Sequence, residues 1–206
     1  MKSAHNYNYR SEDGVFFLYD GDEQVLTPED IPVSTRSEAL AERLVADAVK
    51  YKGSFTDLRS VLSFHGGTCN VLETLSEEES HEGVIEFCED IIRQDPYILF
   101  LQDAPMRLAY ENMFCEKLPK TIDGLPIWCR MIFITYAMNL QTILLPHHIL
   151  SELFNAEGDP EENKQYFLDQ LKEFWEDNGE RVDAKRMKEY GEMIDALLFY
   201  FSLETV

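Results

Sequence analysis

The stretch 15-VFFLYDGDEQVLTPEDIPVSTRSEALAERLVADA-48 decides the fold class, because its hydrophobic pattern changes period near the middle. Residues 15–19 form a run of β-branched and aromatic side chains, which is typical of a strand. Asp20-Gly21 is a turn dipeptide, and residues 24–26 can return as a hairpin partner before Thr27-Pro28 breaks the pairing. After residue 35 the apolar side chains recur at helical spacing, and this pattern predicts a helix.

Two further patterns complete the prediction of the fold class. Upstream, Tyr7 and Tyr9 alternate with asparagines, which predicts a further strand. Thr35 and Glu38 match a capping box, so the first helix is expected to start there. A hairpin is marginally stable alone, and it should therefore pack against helices. We expect an α+β protein, with a small β-rich N-terminal part (residues 1–35) and a larger, mainly α-helical domain (residues 36–206).

The remaining pattern is helical almost throughout. Residues 58–65 have helical spacing, and Gly66-Gly67 then marks either a stop or the close approach of another backbone. Residues 84–92 form an amphipathic helix that Asp95-Pro96 ends. Residues 97–101 are buried either as a strand or as a helical turn, since the run is too short to classify.

Caps and prolines predict where the later helices begin and end. Asp103 is expected to cap a helix that Pro119 and Asp123-Gly124 close. Two buried helices should follow, entered at Pro126 and Pro146. The last two helices are predicted to start at Asp159-Pro160 and at Asp183.

Residues 131–146 carry no charge and are largely apolar, so they need to be distinguished from a membrane span. The run has 16 residues, fewer than the roughly 20 that cross a bilayer, and Asn139 and Gln141 interrupt it. We therefore predict a buried core helix and no membrane insertion.

Composition excludes some partners. The net charge of -21 would repel nucleic acid and anionic membranes, and it suits either solubility or binding to something basic. The four cysteines are far apart and lack the spacing of zinc ligands, so we expect reduced thiols, most of them buried. The first 14 residues have no apolar run like that of a signal peptide, which favours a cytoplasmic protein.

No catalytic signature is present. The five histidines lie in no recognisable motif, the nucleophile elbow GxSxG is missing, and Gly66-Gly67-Thr68 lacks the lysine of a phosphate loop. His148 and Glu152 are four residues apart on a probable helix, but one such pair is weak evidence for a metal site. We expect no catalytic residue, no bound metal and no cofactor.

An aromatic cluster in the predicted helix after Pro160 has two interpretations. Tyr166, Phe167, Phe174 and Trp175 form either a core-facing stripe, which is the commoner case, or an apolar patch that binds a partner. The second interpretation is supported by surrounding acids, because an apolar centre with a charged rim is typical of an interface. The candidate partner-binding residues are Asp169, Glu173, Phe174, Trp175, Glu176 and Asp177.

Several fragments, in order, resemble the ATP12 family of assembly chaperones, which bind the α subunit of the F1 part of ATP synthase. The N-terminal fragments are residues 18–21 (LYDG), Thr27-Pro28, residues 33–35 (VST) and residues 40–42 (LAE). Asp22 stands where the family has an arginine. Later fragments are Asp95 with the apolar run 97–101, and a C-terminal acidic helix with Trp175-Glu176-Asp177 in place of a WGED-like step.

The resemblance implies a β-rich N-terminal domain, a larger helical domain, and binding without catalysis. It implies that the partner is a protein client, an F1-ATPase-type α subunit, whose apolar surface is masked until assembly. The alternative is an acidic interaction or adaptor protein of the same fold with another client.

Overall fold

A computed structural model describes residues 5–74, 77–92, 94–99, 101, 103–177 and 179–206. It contains a small N-terminal sheet followed by helices, and the α+β prediction is confirmed. The strands are β1 (Tyr7–Glu12), β2 (Val15–Asp20), β3 (Glu23–Gln24) and β4 (Ser34–Thr35). The helices are α1 (Glu38–Tyr51), α2 (Val61–Thr74), α3 (Glu77–Ile92), α4 (Pro96–Leu99), α5 (Ala104–Asp123), α6 (Ile127–Leu140), α7 (Leu144–His148), a π-helix (Ile149–Phe154), α8 (Pro160–Asp177) and α9 (Ala184–Phe201).

Strand β2 holds the sheet together, because the three other strands all pair with it in antiparallel fashion. The β1–β2 turn is Asp13-Gly14, and both residues have positive φ, as a tight hairpin turn requires. The predicted return after Asp20-Gly21 is confirmed: Gln24 pairs with Tyr19, and β3 ends there. The division of the chain at residue 35 stays a prediction, although β4 ends at that residue.

The start of α1 differs from the prediction by two residues. Thr35 belongs to β4, where it pairs with Phe16, so its backbone is extended and it cannot begin the helix. The N-cap is Ser37, whose hydroxyl accepts from the Leu40 amide at 3.3 Å. Thr35 instead accepts from the Ser37 amide at 2.9 Å, which fixes the corner between sheet and helix.

Helix α2 continues through Gly66-Gly67, so the prediction of a stop there is wrong. The glycine at position 66 does mark a close approach, but the neighbour is a side chain and not a backbone. A Cβ atom on Gly66 would lie 2.7 Å from Cδ1 of the Phe55 ring. The missing side chain makes room for this ring on the surface of the helix.

Other boundaries follow the predicted caps more closely. The carboxylates of Asp103, Asp159 and Asp183 accept from the first-turn amides of α5, α8 and α9, as expected. The segment after Asp95 is a helical turn, α4, and Phe100 lies outside the described residues. Two expectations are wrong: α5 runs past Pro119, and α7 begins at Leu144, before Pro146.

Helix α6 lies between two hydrophobic cores. Its Ile132 and Tyr136 belong to a first core with the sheet and with α1, α2, α8 and α9, whereas Phe133 and Ala137 belong to a second core with α3, α5 and α7. Residues 131–137 are in this buried helix, but the predicted run to residue 146 is interrupted, because Gln141 has a left-handed backbone that ends α6 and α7 begins at Leu144. In the part of the chain that the structure describes, no helix is both long and apolar enough to cross a membrane.

A buried polar junction ties the sheet to two helices. His65 on α2 hydrogen-bonds the Ser34 carbonyl of β4 through Nε2 at 2.7 Å and the Tyr200 hydroxyl of α9 through Nδ1 at 3.0 Å. Thr68 contacts the same hydroxyl at 2.9 Å. The ring nitrogens of His65 and the hydroxyls of Thr68 and Tyr200 therefore all have partners within this junction.

We predict opposite stability effects for the two adjacent glycines of α2. Gly66→Ala should lower the free energy of unfolding by about 1–3 kcal/mol, because the new methyl group overlaps the Phe55 ring. Gly67→Ala should be neutral or raise it by up to about 1 kcal/mol, because its Cβ meets Met131 Cε at 3.4 Å and Thr135 Oγ1 at 3.9 Å without overlap, and alanine favours the helix.

Urea denaturation of both variants measures this difference. The penalty of Gly66→Ala should largely disappear when Phe55 is also replaced by alanine. Equal effects at the two positions would contradict the packing described for Phe55.

Candidate functional site

An apolar depression lies between α5, α7 with its π-helix, and α8, and we call it the α8 groove. Its volume is about 370 Å³. Its lining is Tyr97, Ile98, Leu101, Tyr110, Phe114, Leu144, Leu145, His148, Glu152, Leu153, Ala156, Asn163, Tyr166, Phe167, Gln170, Leu171 and Phe174. A mainly apolar, aromatic concavity with a few polar groups is the usual form of a binding site.

A second depression is less suited to hold an apolar molecule. It measures about 390 Å³ between residues 54–59 and α9, but it is wider open. The ion pair of Asp57 with Arg59, 2.6 Å apart, lies in its lining together with Glu189. Arg59 already pairs with both acids within the protein, so we take the α8 groove as the candidate site.

Asp95 positions two walls of the α8 groove. Its buried carboxylate accepts from the Tyr97 amide at 3.0 Å, at the start of α4, and from the Ile143 and Leu144 amides at 2.8 and 3.3 Å, at the start of α7. Burial raises the pKa of this carboxyl, and the hydrogen bonds from the three backbone amides oppose that rise. One side chain therefore fixes both helix starts relative to each other.

The third wall contains an unusual helical form. After His148 the chain continues as a π-helix over Ile149–Phe154. Such segments are rare and are frequently found at functional sites. His148 Nδ1 and Glu152 Oε1 lie 2.8 Å apart, and both residues line the groove. A carboxylate that accepts from Nδ1 leaves Nε2 as the ring nitrogen that can hydrogen-bond a bound molecule.

Aromatic rings form the floor and one lip of the groove. Tyr97 stacks on Phe174 with centroids 5.4 Å apart, and it contacts Trp175 at 5.0 Å. Trp175 is only 4% exposed and belongs to the first core. Tyr166 is at the lip and is 68% exposed, which is high for a large aromatic side chain.

The six predicted partner-binding residues thus occupy three environments. Phe174 lines the groove, Trp175 lies beneath it, and the four acids are exposed on the outer surface of α8. Within the aromatic cluster, Trp175 faces the core and Tyr166 faces solvent. Which of the six contacts a partner stays a prediction.

The exposed acids of α8 are unevenly placed around the groove. At 100° per residue, Glu162, Asp169, Glu173 and Asp177 follow one stripe beside Tyr166, and we call these four the acidic edge. Glu176 lies about 20° beyond Asp169, on the side of the stripe that is turned away from the groove, and Lys172 is 3.7 Å from it. In the described part of the chain, no ion pair involves Glu173 or Asp177.

The chemistry available in the groove is hydrogen bonding and acid–base exchange at His148 and Glu152. The described lining contains no serine, cysteine or lysine that His148 could activate as a nucleophile. Across the described residues, no three side chains of His, Cys, Asp or Glu are grouped to hold a metal ion. His65, the other histidine considered, lies in the buried polar junction and outside the groove.

Reasoning from sequence missed much of the lining. Tyr110 and Phe114 are four residues apart on α5 and contribute one wall. Their spacing is a signal for a helical face, but it gives no information on which other helix lies opposite. The His148–Glu152 spacing was noticed as a possible ligand pair, and the structure brings the two side chains into contact with each other.

Comparison with known proteins gives no match, whether to a family model, to a curated protein or to a solved structure. The resemblance to the ATP12 family therefore stays a prediction, and function has to be argued from the α8 groove itself.

His147, which precedes the groove residue His148, leads to a prediction of how stability depends on pH. His147 is 9% exposed and meets the Phe114 ring edge-on at 5.4 Å. Burial, together with the positive charge of nearby His148 and Lys117, lowers the pKa of His147 to about 4. The folded state thus holds this ring neutral, whereas the unfolded chain protonates it near pH 6.5.

Stability from this group is complete above pH 6.5 and is lost as the pH falls toward 4, because only the unfolded chain gains the proton. Between pH 7.5 and 5 the loss should be about 2 kcal/mol. Chemical denaturation of the wild type and of His147→Leu isolates this term, since the carboxylates contribute equally to both. Parallel pH profiles for the two proteins would rule out a buried neutral His147.

Proposed function

We propose that this protein is a non-catalytic assembly chaperone that binds an apolar segment of a client protein in the α8 groove. The observation that carries the proposal is the groove itself, an aromatic-lined concavity of about 370 Å³ with an acidic edge. Apolar concavities with a charged border are the usual form of a surface that recognises another molecule.

Exposure of the lip supports binding. Tyr166 leaves most of its ring in water, and Tyr110 across the groove is 40% exposed. Covering apolar surface releases about 25 cal/mol per Å², so two large aromatic rings at one site are a substantial source of affinity for a partner.

The groove chemistry supports binding more than catalysis. His148 and Glu152 satisfy each other, and the neighbouring polar groups of the lining are the side-chain amides of Asn163 and Gln170. Amides donate and accept hydrogen bonds but do not exchange protons in the neutral range. Such groups orient a bound segment without reacting with it.

For the client, the resemblance to the ATP12 family points to an F1-type α subunit. In that proposal the groove covers an apolar surface of the subunit, and so prevents its self-association before the proper partner arrives. The alternative is an adaptor that uses the same groove for a different client. Both proposals share the groove, and they differ only in the identity of the protein that is held there.

Tyr166→Ala tests the groove without disturbing the fold. Because this side chain is 68% exposed, the melting temperature should stay unchanged, while affinity for the client should fall at least about tenfold through loss of a central aromatic contact. Phe87→Ala is the matched control, since Phe87 is an exposed aromatic of α3 outside the groove lining.

The assay is co-purification from the native host with each tagged protein, followed by titration with purified F1-type α subunit. Loss of the subunit with Tyr166→Ala, but not with Phe87→Ala, is the expected result. Recovery of a different protein with the same dependence on Tyr166 would favour the adaptor. Equal recovery of the client with all three proteins would remove the groove from consideration.

A further inference from the structure

We infer that the segment held in the α8 groove is a basic amphipathic α-helix, with apolar side chains inserted into the groove and Lys or Arg residues along the acidic edge. This inference rests on the proposed function, which it makes more specific. Three properties of the groove support it: the form of its walls, its polar groups and the sign of its charge.

The walls favour a helix over an extended peptide. In the described residues the groove is lined from α4, α5, α7, the π-helix and α8, and the sheet contributes no residue to the lining. An extended peptide would therefore find no strand edge to pair with, and its amide and carbonyl groups would lose water without compensation. A helix satisfies these groups internally and presents apolar side chains at i, i+3 or i+4, and i+7.

The polar groups of the lining are too few to satisfy the backbone amides and carbonyls of an extended peptide. His148 and Glu152 are 2.8 Å apart in one wall, and the side chains of Asn163 and Gln170 come from another. These groups can receive one or two polar side chains that flank the apolar face of a helix. They therefore fix its rotation in the groove more than they contribute to affinity.

Charge selects a basic segment. Glu152 is the charged side chain of the described lining, and the acidic edge adds Glu162, Asp169, Glu173 and Asp177 along α8. The opposite wall carries two cations, Arg107 and Lys117, on the same face of α5 as Tyr110 and Phe114. Five acids against two bases favour a cationic partner, and the distribution orients its basic flank toward α8.

A pair of designed peptides tests the inference. Both have about 18 residues, leucines at i, i+4, i+7 and i+11, and an alanine-rich remainder; one carries lysines on the flank and the other carries glutamates at the same positions. Fluorescence anisotropy should give at least about tenfold tighter binding for the lysine peptide at low salt. The difference should shrink as ionic strength rises.

Two charge-reversal variants identify the surface responsible. Glu173→Lys, on the acidic edge, should abolish or invert the preference for the lysine peptide. Glu42→Lys is the matched control, because Glu42 is an exposed acid of α1, a helix that contributes no residue to the described lining, and the preference should persist. Tyr166→Ala should weaken binding of both peptides, since it removes an apolar contact that they share.

The helical form is tested with a lysine peptide that carries proline at its centre. Proline breaks the helix, so binding should weaken at least about tenfold. Retained affinity would mean that the groove accepts an extended segment, and this would overturn the inference. Equal affinity of the lysine and glutamate peptides would overturn it as well.

The outcome also separates this inference from the function on which it rests. If neither peptide binds while Tyr166→Ala still loses the client, the groove holds a client segment of another chemistry, and only the present inference fails. If Tyr166→Ala leaves client binding intact, the proposed function itself fails. The two experiments share no reagent except the Tyr166→Ala protein.

Discussion

The burial of α6 from Cys129 to Ala137 is the constraint on which the rest of the structure depends. Buried side chains lie all around this part of the helix, so the chain has to supply a layer on each side of it. The sheet with α1, α2 and α9 covers one side, and α3, α5 and α7 cover the other. The α8 groove lies where these two layers meet: Leu171 of its lining belongs to the first core, and Phe114 belongs to the second.

That position explains why the groove is apolar. The side chains at the edge of each core are apolar because they pack against that core. At the boundary between the two cores, these side chains face each other across the groove without filling it. The π-helix contributes Glu152 and Leu153 to this boundary, and the Asp95 carboxylate fixes the starts of α4 and α7 beside it. The acidic edge then surrounds this apolar region with charge.

Local signals in the sequence were sufficient for much of the fold. Asp103, Asp159 and Asp183 cap their helices because an aspartate before a helical period satisfies first-turn amides in almost any context. Thr35 fits the same rule but pairs with β2, since tertiary pairing of a strand overrides a cap that is only locally favourable. The stop predicted at Gly66 is wrong because this glycine makes room for the ring of Phe55, which comes from another segment of the chain.

The candidate site was less accessible to such reasoning. Phe174 and Trp175 are adjacent in the sequence, which does not indicate that they have different environments. In the folded chain Tyr97 packs against both rings, but Phe174 lines the groove and Trp175 is buried in the core. Likewise, neither Tyr110 on α5 nor His148 on α7 carries information about the helix that it faces. The groove is formed by side chains from several helices, so it exists only after those helices have packed together.

The junction of His65 with Tyr200 also has a consequence for the order of folding. These residues are 135 positions apart, so the hydrogen bond closes only after all the helices between them have been synthesised. The bond from His65 to the Ser34 carbonyl does not need α9, and the strands contact one another and α1 through neighbouring parts of the chain. Contacts of long sequence separation form more slowly, because they cost the entropy of the whole intervening chain. The sheet can therefore form early, and the last helix completes the junction that joins it to α9.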